Sequence, residues 1–396
     1  MRNASLLSML AIAATSLIGA DAAMAKDPIR IGVPTSLTGP YVELGAEAKR
    51  GAEFAADEVN AKGGVDGRRV ELEFADTEGN PDAGRRAAEK LARSGYRLLT
   101  GAISSAVGLA IAGQVQKWDA LYISSINKSD RLTGEACNPR VFRANHSDSM
   151  DMALIGPWLK QRPEAEWSVM AADYGWGHDS ADAFSAAATA AGKSLKIKLF
   201  APLGTKDYAP YIQQIKDANP RGLWVALSGR DAVNFGIQAK QFNLLDSVFA
   251  VSQSFAVPAT IKGMGDLAEG VWGIVNYTST LDTPGNKAFV AAWVKAYGKE
   301  PGNFEAETYV AMKALFAAVE KADSVEPEAV AAALSDIAFE VPFYGKVTMR
   351  PADHQLMLPN YIGRVTRVNG ELKPVVSVTV DAEHAIGPPS PACKMM

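Results

Sequence analysis

The sequence predicts an α/β protein built as two similar lobes. Apolar strand-like runs alternate with segments of helical spacing, and the alternation runs through once and begins again near residue 150. At 396 residues the chain also exceeds what one hydrophobic core normally organises. Strand–helix–strand repeats imply parallel sheets with right-handed crossovers and helices on both faces. Ligands in such sheets sit outside the carboxyl ends of the strands.

Ile29–Val33 is an apolar strand that enters the polar turn 34–40. From Glu43 to Ala61 the residues Leu44, Ala48, Gly51, Ala52, Ala55 and Val59 share one helical face, and Gly63-Gly64 ends the helix. Val70–Ala75 alternates as a strand, and Asn80-Pro81 is a cap with proline at the first helical position of a helix reaching about Ser94. The apolar run Arg97–Thr100 leads into the turn Gly101-Ala-Ile-Ser-Ser-Ala106 and a helix over 106–118. Leu121–Ser124 and Val141–Ala144 are the next strands, separated by a polar loop starting at Ser125. Three loops, 36–44, 103–106 and 125–130, thus face one rim.

The second unit starts with a helix over 150–160 and the strand Trp167–Ala171, which ends in a rim loop over 173–179. A helix over 180–191, a strand over 195–200, a helix over 208–218 and a strand over 222–227 follow. The turn 228–231 opens a helix over 232–242, and Val248–Val251 is a strand ending at Ser252-Gln253. Beyond Val271–Tyr277 come one long helix, Glu305–Ala322, a short helix, and strand-like pieces near 345–349 and 361–380. These last segments are too few for a third lobe and are expected to complete the first two.

Composition is that of an ordinary globular chain, with 48% hydrophobic and 21% charged residues and a net charge of −4. Nothing in that balance points to nucleic acid or to an anionic membrane surface. Met1-Arg-Asn3, the apolar run Leu6–Ala20 and the small-x-small pattern Ala23-Met-Ala25 read as a cleaved export leader over residues 1–25. No cysteine closely follows the apolar run, which argues against a lipid anchor, and no later stretch approaches the ~20 apolar residues of a spanning helix. The mature chain is expected in the periplasm.

The turn at 101–106 is the first candidate site. Small residues let a ligand approach backbone N–H groups, the helix start carries partial positive charge, and Ser104 and Ser105 add hydroxyls. That combination suits a carboxylate; the turn alone also fits a plain helix cap. The two cysteines, Cys137 and Cys393, can pair in an exported protein or remain separate thiols. With scattered histidines they make no metal site, and no cofactor is expected. The chain has no Gly-x-Ser-x-Gly elbow, no His-Glu-x-x-His and no phosphate-cradling glycine loop. Asp173, His178 and Ser180 lie close in sequence without the marks of a triad, so no catalytic residue is assigned and the chain reads as a binding protein.

Gly45-Ala-Glu-Ala-Lys-Arg-Gly51, Asn60-Ala-Lys-Gly-Gly-Val-Asp-Gly-Arg68 and Val70–Asp76 resemble the opening of type I periplasmic solute-binding proteins of ABC importers, in the leucine/isoleucine/valine-binding branch. Leu132–Pro139 before Val141-Phe-Arg143, and Ala268-Glu-Gly-Val271, fit as well. The resemblance implies two Rossmann-like lobes joined by a three-crossing hinge and closing on a small ligand. The first lobe is expected to hold residues 26–145 and 276–352, and the second 146–275 and 353–396. It also implies a Cys137–Cys393 bridge and a membrane permease as partner, with the protein acting as a monomer.

By this resemblance Ser104, Ser105 and the Ala106 amide hold the ligand carboxylate, with Leu44 on the facing loop and Asn127 and Lys128 on the loop after the fourth strand. Asn127 and Lys128 depart from the small residues usual there. In the second lobe Gln253 stands where amino-acid binders of the branch place an acid that balances the ligand ammonium. Glutamine cannot balance a buried charge. Arg230 replaces the usual aromatic and adds a forked cation suited to a carboxylate, or else a surface charge. Tyr174, Trp176 and Phe304 are candidates to pack an aromatic or apolar body, against the plainer readings of solvated loop and lobe core. The expected ligand is therefore a small carboxylate without an α-amino group. A branched-chain amino acid or amide, or a sensor that docks on a receptor, are the alternatives.

Overall fold

The computed structural model describes residues 26–395, so the expected leader lies outside the described residues. The first run comprises β1 (Ile29–Thr35), α1 (Val42–Asn60), β2 (Val70–Asp76), α2 (Pro81–Arg93), β3 (Leu98–Gly101), α3 (Ser105–Ala112), β4 (Leu121–Ser124) and β5 (Val141–Arg143). The second comprises α4 (Asp148–Lys160), β6 (Glu166–Ala172), α5 (Gly175–Ala190), β7 (Ser194–Ala201), α6 (Ala209–Ala218), β8 (Gly222–Ala226), α7 (Gly229–Gln241), α8 (Leu244–Ser247), β9 (Phe249–Ser252), α9 (Pro258–Met264) and β10 (Trp272–Val275). The chain then gives α10 (Pro284–Tyr297), α11 (Asn303–Ala322), α12 (Pro327–Leu334), β11 (Ala338–Val341), β12 (Gly345–Arg350), β13 (Gln355–Met357), β14 (Asn360–Val368), β15 (Glu371–Val380) and α13 (Ala382–Ile386).

Two sheets result, one ordered β11-β12-β13-β5-β4-β3-β1-β2 and the other β15-β14-β10-β9-β8-β6-β7. The central strands run parallel, and antiparallel strands close the β11 and β15 edges. β1 is buried at all but one position, as a strand covered on both faces must be. α1 buries Leu44, Ala48, Gly51, Ala52 and Ala55 on one face. Asn80 caps α2, its side chain accepting from the Asp82 and Ala83 amides at 2.9 and 3.1 Å, with Pro81 at the first helical position. Strand order reverses around β1 in the first sheet and β6 in the second. Loops after β1 and β3 therefore face loops after β6 and β8 across one cleft.

Several boundaries differ from the sequence reading. The helix expected over 106–118 is α3 and stops at Ala112, the following residues forming turns. The rim loops over 173–179 and 228–231 are shorter, because α5 begins at Gly175 and α7 at Gly229. Helix α10 and strand β11 lie where no element was assigned. The boundary expected at 352/353 falls later: Gln355 pairs with Arg143 of β5 and with Arg350 of β12, which keeps β13 in the first sheet. The tail is also not simply second-lobe, since α13 packs on both α4 and β13.

The lobes are joined by three crossings, after β5, β10 and β13. They share a buried polar network. Asn276 Nδ2 lies 3.2 Å from His146 Nδ1 and donates to Asn360 Oδ1 at 3.0 Å, while Asn360 Nδ2 donates to Asp151 at 2.8 Å. Burial holds His146 neutral, lowering its pKa to about 4. Cys137 and Cys393 are bridged, with Cα atoms 5.5 Å apart, and the bond fastens the tail to the first lobe.

Candidate functional site

The cleft narrows to a cavity between the lobes. The first lobe contributes Tyr41, Ile103, Ser105, Ile126, Lys128, Asn303 and Phe304 to its wall. The second contributes Tyr174, Trp176, Ser228, Gln253 and Ser254, and the hinge contributes Asn276. At the mouth the Tyr41 hydroxyl donates to that of Tyr174 at 2.9 Å, linking the two lobes.

The turn before α3 is formed by Gly101, at φ +134°, where a Cβ would stand 2.4 Å from the Pro34 carbonyl oxygen. Ser105 lines the cavity, and its Oγ accepts from the Lys128 and Ser129 amides at 3.2 and 3.1 Å. With both lone pairs engaged, the hydroxyl proton is the part of Ser105 left to give to a ligand. Ser104 is buried, makes no side-chain cap and is not part of the wall, and Ala106 also lies off it. Both were expected to touch ligand; of the β3–α3 turn, Ile103 and Ser105 line the cavity.

Asn127 departs from expectation as well. Its Nδ2 donates to Tyr122 Oη and Ser124 Oγ at 2.9 and 2.7 Å, so the side chain points beneath α3, against Gly108. The loop is held from behind by fully buried Arg143, which donates to the carbonyls of Asn127, at 2.6 Å, and Ser129. Lys128 does line the cavity. It is not a solvated rim charge: Nζ donates to Asp151 at 2.7 Å and to Asn276 at 2.9 Å. Its charge is balanced within the protein, and one N–H remains.

Trp176 and Tyr174 form the second-lobe aromatic wall, their ring centroids 5.9 Å apart. Phe304 faces them from the start of α11, in an apolar cluster with Tyr41, Leu44, Ile103 and Ile126. Leu44 itself belongs to that cluster and to a neighbouring outer groove, not to the cavity wall. Arg230 is exposed and lines only the outer groove, because α7 begins at Gly229 and carries residue 230 past the rim. Gln253 lines the cavity from the second lobe, its Nε2 donating to Asp148 Oδ1 at 2.6 Å. Asp148 is fully buried, and burial pushes its carboxyl well above the usual range, toward the neutral form.

Sequence reasoning missed Tyr41, Ile103, Ile126, Ser228, Ser254, Asn276, Asn303 and the supporting Asp148. Ile103 and Ile126 carried a signal, since an apolar residue inside a polar turn needs a surface to cover. Asp173 and His178 form an exposed pair at 2.9 Å, while Ser180 Oγ accepts from Trp224 Nε1 at 3.1 Å inside the second lobe. The three do not converge.

The arrangement suits enclosure of a small ligand. Hydroxyl and ammonium donors, aromatic rings and a neutral amide share the wall. The periplasmic binding protein family model matches residues 28–371. The chain is 30% identical over 332 residues to the Leu/Ile/Val-binding protein BraC3 of Rhizobium johnstonii, covering 83% of this chain and 89% of that one. A solute-binding protein of an ABC transporter from Rhodopseudomonas palustris, solved with 3,4-dihydroxybenzoic acid, matches with TM-score 0.83 at 24% identity, over 90% of this chain and 98% of its own. The leucine-, isoleucine-, valine-, threonine- and alanine-binding protein of Brucella ovis, in its closed conformation, matches with TM-score 0.82 at 20% identity, over 93% and 99%.

Proposed function

The chain belongs to the periplasmic binding protein family, in its Leu/Ile/Val-binding-like branch, and from that premise we propose that it captures a small organic acid lacking an α-amino group, of aromatic type, for an ABC importer. It would work in the periplasm and hand the acid to a membrane permease. The observation that carries this reading is the polar make-up of the cavity wall. Ser105 and Lys128 offer donors from the first lobe, and the second lobe presents Gln253, an amide. A carboxylate finds partners there, whereas a buried ammonium finds no ionised acid on the wall and is costly to strand. The rings of Trp176, Tyr174 and Phe304 suit a planar body. The fold accommodates such a ligand in the R. palustris protein.

A branched-chain amino acid is the second reading, favoured by the identity to BraC3. Calorimetry separates them. Benzoate-type acids should bind and leucine, isoleucine and valine should not; a clear preference for the amino acids overturns the proposal. Ser105→Ala should weaken the acid by about tenfold or more, the usual worth of a hydrogen bond to a charged group. Unchanged affinity would move the carboxylate elsewhere. Deleting the gene should abolish uptake of the acid; loss of a signalling response with uptake intact would mark a sensor.

A further inference from the structure

Gln253 is 6% exposed, and its amide is not free to choose a face. Nε2 donates to Asp148 Oδ1 at 2.6 Å, and Trp176 Nε1 donates to the same oxygen at 3.2 Å. An indole N–H can only donate, so Oδ1 is an acceptor whatever the protonation of Asp148, and any proton of that carboxyl belongs on Oδ2. The amide of Gln253 must therefore turn its NH₂ toward Asp148. Asp148 is not part of the cavity wall, so the face left to the cavity is the carbonyl oxygen. That oxygen, Oε1, is buried and has no partner among the described residues. Asn303 Oδ1, on the opposite lobe, is likewise buried and unpartnered, but no side-chain bond fixes that amide, and it can present either face.

Resting on the carboxylate reading above, we infer that the ligand carries, besides its carboxylate, a hydrogen-bond donor, a ring hydroxyl, that meets Gln253 Oε1, and that Asp148 is a positioning residue that selects for it by fixing the Gln253 amide. Leaving a buried carbonyl unpaired has a penalty, so an acid without the hydroxyl binds less well. The site discriminates by what the poorer ligand leaves unsatisfied. An ammonium would also donate to Oε1. It would arrive without a counter-charge, because Lys128 already takes Asp151 and burial holds Asp148 toward its neutral form.

The test is calorimetry of the mature chain with benzoate, 3-hydroxybenzoate and 4-hydroxybenzoate. At least one hydroxy acid should bind about tenfold or more tighter than benzoate. Gln253→Leu should bring that ratio to within about threefold. Asp148→Ala removes the acceptor that holds the NH₂, lets the amide turn over, and should lower the same ratio. A merely structural role for Asp148 would weaken all three acids together. Equal binding of the three acids to the wild type overturns the inference and leaves the carboxylate reading standing. Binding of none overturns both. A ratio unchanged in Gln253→Leu overturns the assignment to this amide.

Discussion

At the scale of single residues, burial decides which side chains act. Ser104 and Ser105 are chemically identical neighbours, yet only Ser105 reaches the cavity, and its two acceptor bonds to the Lys128 and Ser129 amides free its proton. Glu307 is the opposite case. It is 3% exposed, neither carboxylate oxygen has a partner among the described residues, and burial raises its pKa to about 8. The folded state thus holds a proton that the unfolded chain releases near its ordinary value. Glu307 favours folding fully below about pH 4.5, and that contribution is lost as pH rises toward 8. Glu307→Gln should leave the melting temperature unchanged near pH 5 and raise it by roughly 3 °C at pH 8, read by thermal shift at both pH values. Equal effects at the two pH values would show that the carboxyl does not titrate in this range.

At the scale of elements, the close approach of α1 to α11 sets the floor of the first lobe. A Cβ on Gly51 would lie 2.4 Å from the carbonyl oxygen of Glu305, so the two helices touch through backbone. Gly51→Ala should force them apart and cost about 1–3 kcal/mol, measured by urea denaturation. Since Asn303 and Phe304 sit at the start of α11, ligand affinity should fall with it. The periodicity of α1 was legible because its apolar stripe is complete. Helix α10 was not, although Thr283-Pro284 opens it with a cap and a first-turn proline, because its buried stripe narrows to Phe289 and Trp293 with Asn286 between its turns. Strands β11 and β13 are four and three residues long, and their partners, not their composition, make them strands.

At the scale of the whole molecule, three crossings and one disulfide make two lobes a single device. The polar network through His146, Asn276, Asn360 and Asp151 ends on Lys128, which lines the ligand cavity. Hinge and ligand site therefore share side chains. The Cys137–Cys393 bridge spans 256 residues of sequence and restricts the unfolded chain by up to about 5 kcal/mol. Replacing both cysteines by serine should lower the melting temperature while leaving ligand affinity within about twofold, because the bridge lies away from the cavity wall. A melting temperature indifferent to the change would mean that the tail is anchored by packing alone.

The sequence by itself determined the alternating α/β units, their arrangement as two lobes, the turn that carries Ser105, and an amide, Gln253, at a strand's end. These are local properties: periodicity, turn chemistry and residue type at a strand's end. Only the tertiary structure decided that Asn127 turns inward, that Arg230 clears the rim, that Lys128 is spent on Asp151, and that Asp148 fixes the Gln253 amide. Lys128 and Gln253 depend on partners more than twenty residues away, Arg230 on where a helix starts in space, and Asn127 on the path of its loop beneath α3, and none of these leaves a periodic trace in the chain.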